Sequence, residues 1–197
     1  MEAVIGIWNK YQNRKVAETQ LNQMLNAEWV CSSCSEKHNG LFDLAAFAPD
    51  FWEGEENYST NSEVRLEGNF LSEDFCVIDG ESFFVRSVLD FPIKKHKCRF
   101  GFGVWSTLSK TNFQKYIDGF DAGSFPTDTQ WTEWFSNQIK GIENTIRQEC
   151  WVIPQINRQR PLIKFMDEEH PVSVAQTKGL DAEWLLEIYA ANGHAKS

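Results

Sequence analysis

No run of apolar residues in this 197-residue chain approaches the ~18 needed to cross a bilayer as a helix, so no membrane span is expected. The apolar stretch at Ala3–Trp8 is too short for the core of a secretion signal and has no basic leader. Positive charge is also scarce: 19 Lys and Arg stand against 28 Asp and Glu, a formal charge of −9. Such a field repels a phosphate backbone, which excludes nucleic acid as an expected partner and suits a basic protein instead. The one basic cluster, Lys94, Lys95, Lys97 and Arg99, reads as the solvated tip of a hairpin. Cysteines number five, an odd count that, without an export signal, points to reduced thiols or metal ligands in a cytoplasmic protein. Catalytic signatures are missing. There is no GxSxG, HExxH, Walker loop or Rossmann glycine pattern, so the sequence nominates no reaction and leaves open whether the protein is an enzyme.

What is present is enough for a packed core. Hydrophobic residues make up 42% of the chain, and eight tryptophans imply large buried surfaces. Residues 5–28 are expected to form an N-terminal helix, with Trp8, Tyr11, Leu21, Met24 and Leu25 loosely on one face. The run Phe75–Ile78, Asp79–Gly80, Ser82–Ile93 reads as strand, tight turn, strand, because Asp-Gly supplies the positive φ of a two-residue hairpin loop. Cys98–Leu108 is a third strand. Its Phe100, Phe102 and Val104 point one way; Gly101, Gly103 and Trp105 point the other, and two glycines on one face call for a close neighbour.

Ser109 caps a helix whose Phe113, Tyr116, Ile117 and Phe120 fall at i, i+3, i+4 and i+7. Trp131–Ile139 is read as another helix, with Trp131, Trp134, Phe135 and Gln138 on one side. Thr145–Ile156 and Pro161–Phe165 suit strands, 167–176 the start of a helix, and Asp181 caps a last helix ended by Gly193. The expected fold class is α+β: a central antiparallel sheet flanked by helices. Residues 1–28 would be a helix packed on a single domain spanning 29–197.

One constellation carries chemistry. Cys31, Cys34 and His38 form C-x2-C-x3-H, in which a turn can aim two thiolates at one zinc ion and bring an imidazole to a third tetrahedral corner. The plain alternative is two small thiols beside a surface histidine. A redox role for the CxxC wants a strand followed at once by a helix, and Ser35–Gly40 is loop-like. The fourth ligand comes from elsewhere in the chain or is water; Cys76 is the first choice, followed by Cys98, His96 and His170. Cys150 suits a buried core thiol. Arg86 alternates outward from its strand, to meet solvent, a carboxylate or a bound anion.

At these residues the chain resembles a bacterial family, domain of unknown function 2199. The strings that carry the resemblance are CSSCSEKHNGL, LSEDFCVIDGESFFVRSVLDFPI, FGFGVWSTLSKTNFQKY, RQRPLIKF and EEHPVSVAQTKGL, in that order over roughly residues 29–190. The resemblance implies a bacterial cytosolic protein of unassigned activity. It brings forward Cys31, Cys34, His38, Cys76 and His170 as positions matching the family's pattern. This chain departs from that pattern at Ser35 and Ser87, where glycine is usual. Ser35 matters, because glycine best tolerates the positive φ of a tight metal-binding turn.

Two functions follow as expectations. The first is a zinc-stabilised protein-binding module for a basic partner, of which an immunity-type protein neutralising a basic toxin is one form. The alternative is a zinc-dependent hydrolase with an open coordination position and Asp79 or Glu36 as general base.

Overall fold

The computed structural model describes the backbone of residues 2–195 and the side chains of residues 12–195. Among these the elements run α1 (Glu2–Asn26), β1 (Glu28–Val30), β2 (Lys37–Asn39), β3 (Leu44–Ala45), β4 (Phe70–Leu71), β5 (Phe75–Ile78), β6 (Ser82–Pro92) and β7 (Arg99–Leu108). There follow α2 (Lys110–Ala122), β8 (Trp131–Trp134), β9 (Glu149–Ile153), β10 (Leu162–Phe165), α3 (Pro171–Lys178) and α4 (Ala182–Ala191). The fold is α+β. None of the described helices is long and apolar enough to cross a membrane.

The β6–β7 hairpin is the spine. Its register runs from Phe83 opposite Leu108 to Pro92 opposite Arg99, so side chains sort strictly onto two faces. Phe83, Val85, Leu89 and Phe91 of β6 join Phe100, Phe102, Val104 and Leu108 of β7 in the large core. That core is closed by Phe113 and Tyr116 of α2, Val172 and Ala175 of α3, and Leu185, Ile188 and Tyr189 of α4. Ser109 and Asp181 each accept a backbone N–H three residues on, capping α2 and α4 as expected. Ala17, Leu21 and Met24, at spacings of four and three, lay one stripe of α1 on the same core. Trp8 and Tyr11 lie outside the residues whose side chains are described.

The sheet is mixed rather than wholly antiparallel. Its order is β3-β7-β6-β10-β9-β8, with β5 also on β6 and β4 on β5. Both β3 on β7 and β10 on β6 are parallel. The cause is β6's length: β5 covers Ser82–Val85 in hairpin fashion, and β10 takes a place beside Val88 after a long excursion. The sheet then curls until Phe135, just past β8, bridges to Ser106 of β7.

Residues 131–134 therefore form a strand and not the start of a helix. Trp131 and Thr132 pair with Val152 and Trp151, and Trp134 is 50% exposed while Phe135 is buried, so they share no stripe. The helical spacing of these aromatics was coincidental, and cross-strand pairing prevailed. The strand expected over Thr145–Ile156 is shorter because Thr145 serves the preceding loop, taking the Ile139 N–H and donating to the Asn137 carbonyl. The helix expected from 167 begins at Pro171, since His170 is its cap.

The opposite face of the spine holds a second cluster, Leu71, Cys76, Phe84 and Trp105, roofed by residues 46–58. That roof explains Arg86. Alternation does turn it off the main core, yet it is buried, donating to Tyr58 Oη and to the carbonyls of Glu73 and Ala46 instead of meeting solvent or a carboxylate. The basic hairpin tip is solvated as expected: Lys94, Lys95, Lys97 and Arg99 are all exposed, with Lys95 paired to Glu18 at 2.6 Å and Lys94 to Asp181 at 3.5 Å.

The glycines of β7 admit β3. A Cβ on Gly101 would stand 2.7 Å from an Asp43 carboxylate oxygen, whose partner oxygen accepts the Gly101 N–H at 2.8 Å. Gly101→Val should expel that carboxylate and leave a buried N–H unpaired, lowering stability by about 2–3 kcal/mol in chemical denaturation. A change below 0.5 kcal/mol would show the contact to be dispensable.

Candidate metal centre

The strands β1 and β2 form a small antiparallel hairpin in which Trp29 faces His38. The turn between them is the CSSCSE sequence. Cys31 and Glu36 close it, the Cys31 N–H donating to the Glu36 carbonyl at 2.9 Å. Inside it the Ser35 N–H returns to the Cys31 carbonyl at 2.9 Å. That return requires a left-handed residue, and Ser35 adopts φ +60°. The turn thus takes the backbone path that glycine would favour, with a serine bearing the strain.

Its effect is to aim amide N–H groups at sulfur. The Cys34 backbone amide, helped by that of Ser33, holds the Cys31 thiol below its ordinary value against the opposing effect of burial. At Cys34 the Glu36 amide favours the thiolate, yet burial and the adjacent Cys31 sulfur together raise it. Two sulfurs so close resist double ionisation unless a cation lies between them.

The fourth donor is His194, which the sequence reading did not consider. The metal-ligating atoms of Cys31, Cys34, His38 and His194 all lie within 4.8 Å of one another. Cys34 Sγ is 3.4 Å from His38 Nε2, and Cys31 Sγ is 3.9 Å from His194 Nδ1. A tetrahedral zinc with bonds of ~2.3 Å to sulfur and ~2.0 Å to nitrogen would set each such edge near ~3.5 Å. The donor set and its dimensions fit such an ion.

Aromatic rings hold the two imidazoles. His38 lies between Trp29 and Phe42, at ring-centre distances of 4.8 and 4.6 Å. His194 meets Phe42 edge-on at 5.0 Å. Tyr189 fixes Phe42 in turn: its hydroxyl donates to the Phe42 carbonyl and accepts the Phe42 N–H. Beyond α4, Gly193 takes φ +83° and turns the chain back, and the Ala195 carbonyl accepts from both the Ser32 N–H (2.7 Å) and Ser32 Oγ (2.9 Å).

Cys76, the expected fourth ligand, is not in this group. It lies on β5 in the second apolar cluster, where burial pushes its thiol up to about 12, opposite to what a thiolate ligand needs. The other candidates lie outside the cluster as well. His170 accepts the Val172 N–H at Nδ1 and reaches the Asn144 carbonyl with Nε2, His96 lies 3.7 Å from Glu18, and Cys98 ends the β6–β7 connection. Cys150 is a buried thiol raised by burial. Asp79 occupies the β5–β6 turn, its N–H bonded to Asn69. No local spacing links His194 to the CxxC turn; only enumeration of the four histidines would have raised it.

These features define an α+β protein with a two-cysteine, two-histidine cluster at the junction of an N-terminal hairpin and the last helix. Residues 30–180 match the family described as "Uncharacterized protein conserved in bacteria (DUF2199)", and the chain belongs to that family. No curated protein and no solved structure matches it. The matched segment contains Cys31, Cys34 and His38, and His194 falls beyond it.

Two substitutions probe the framework. Ser35→Gly should relieve the left-handed strain and stabilise the protein by about 0.5–1 kcal/mol, less whatever glycine loses in chain entropy. Tyr189→Phe should cost about 1–3 kcal/mol, because it strips both partners from Phe42. Denaturant midpoints check both, and a destabilised Ser35→Gly protein would contradict the strain argument.

Proposed function

We propose that Cys31, Cys34, His38 and His194 bind one zinc ion whose role is structural, in a protein that acts by binding a basic protein partner. The observation that carries the metal half is the convergence of four good zinc donors, two of them 163 positions apart in the chain. Four protein ligands complete a tetrahedron and leave no position for a reactive water, which makes hydrolysis the weaker reading. Asp79 sits in the β5–β6 turn, which adds nothing to that alternative. The binding half is supported by the charge of −9 and by the absence of a catalytic motif from the sequence. Neutralising a basic toxin, as an immunity protein does, is one form this would take.

A metal clip between the first hairpin and the end of α4 closes a loop of more than 150 residues, which the chain-entropy treatment of cross-links values at about 5 kcal/mol. Purified protein is therefore expected to carry one zinc per chain by elemental analysis. Cys34→Ser and His194→Ala should each lose it and melt well below the wild type. Acidification should release it as thiolates and imidazoles take up protons. Metal-free protein whose melting is unmoved by zinc, with both variants melting like wild type, would end the metal reading.

A further inference from the structure

Between Lys37 and Arg65 the chain contains no lysine or arginine, while Asp43, Asp50, Glu53, Glu55, Glu56 and Glu63 all fall there. Six of the nine net negative charges thus lie in one segment. The part from residue 46 to residue 69 carries no secondary structure beyond the single turn of 3-10 helix at Asn61–Glu63 and an isolated bridge at Ser59. Irregular segments of that length within a packed domain are uncommon, and those that persist usually carry function.

The segment is ordered by specific contacts. Asp50 anchors it to the loop after β8, accepting from Asn137 Nδ2 at 2.9 Å and from the Gln138 N–H at 2.7 Å. Phe51 stacks on Phe84 of β6, and Trp52 donates its indole N–H to the Glu55 carbonyl. Gly54 lies flat against the Trp52 ring, where a Cβ would collide with the indole. Phe47 and Tyr58 stack at 4.4 Å, and the Tyr58 hydroxyl reaches back to the Phe47 carbonyl. Phe47 is 38% exposed; Phe51, Trp52 and Tyr58 are partly exposed. Glu53 and Glu56 are exposed, with no ion pair to any described residue.

Preorganised aromatic faces beside unpaired carboxylates are what an arginine- or lysine-bearing chain recognises: the rings take the cation face-on and the carboxylates take its N–H groups. We infer that residues 47–58 form the docking surface for a basic segment of a protein partner, with Trp52 and Phe47 as the aromatic contacts and Glu53 and Glu56 as the anionic ones. This rests on the protein-binding reading above and gives it a location. The same charge that recommends a basic polypeptide repels nucleic acid and anionic lipid. The surface is separate from the cysteine–histidine cluster, so the two halves of the proposed function can fail independently.

The test uses full-length protein whose zinc content has been measured, isotopically labelled for NMR and titrated at physiological salt with a synthetic peptide of alternating arginine and serine. The expected result is a set of shift changes confined to residues 46–58, including the Trp52 indole, that saturates. Trp52→Ala and the pair Glu53→Gln with Glu56→Gln should each weaken binding at least tenfold. The pair Glu143→Gln with Glu168→Gln removes the same charge from exposed positions outside this segment and should change affinity less than twofold. No saturating shifts, shifts spread over the whole surface, or equal loss in both charge-neutralised pairs would overturn the assignment. Zinc-loaded protein that ignores the peptide would sink the docking surface alone; zinc-free protein that binds it at these residues would sink the metal reading alone.

Discussion

Ten consecutive residue pairs between β6 and β7 set the geometry of everything else. A strand's side chains alternate with period two, so a hairpin this long commits two surfaces at once and a slip of one residue would exchange them. One surface gathers phenylalanines, valine and leucine for the three C-terminal helices and α1 to cover. The other presents Phe84, Arg86 and Trp105, which no helix covers. The irregular segment 46–58 lies over that surface, covering the Trp105 indole and giving the terminal nitrogens of the Arg86 guanidinium hydroxyl and carbonyl partners. Arg86 then ties the segment down from below through the Ala46 carbonyl and the Tyr58 hydroxyl.

The helix side of the same spine leads to the cluster. Phe100 of β7 packs against Tyr189 of α4 at 5.6 Å, and Tyr189 holds Phe42, which orients both imidazoles. Core packing and donor placement are therefore a single chain of contacts, running from sheet to helix to ring to imidazole. A metal ion bound there would be held in a frame that the apolar core has already shaped, which reduces the ordering that coordination must accomplish by itself.

Legibility in the sequence followed the range of the interactions. The 75–108 strands and the turn at Asp79–Gly80 were readable because alternation and turn chemistry are local, and so were the caps at Ser109 and Asp181. Three of the four clustered donors were readable because one short hairpin supplies them. His194 was not, because its proximity to Cys31 depends on the packing of α4 and the reversal at Gly193. Residue type and the family resemblance point to Cys76 in its place, whereas the alternation of β5 turns that side chain into the second apolar cluster. The parallel pairings of β3 and β10 were illegible for the same reason as His194: each joins segments whose meeting nothing nearby in the chain encodes. The strand at Trp131–Trp134 was lost to a spacing that two periodicities share.

The reversal after α4 also decides how the molecule would bear load. The Ala195 carbonyl is bonded twice to Ser32, and His194 lies beside Cys31, so a pull on the chain beyond residue 195 meets the first hairpin before it meets the sheet. The tail would peel from that turn one bond at a time unless an ion locked the two together, in which case the force would pass directly into the buried part of the protein. The junction is in this sense a buckle, whose strength is set by its occupancy rather than by the amount of surface it covers.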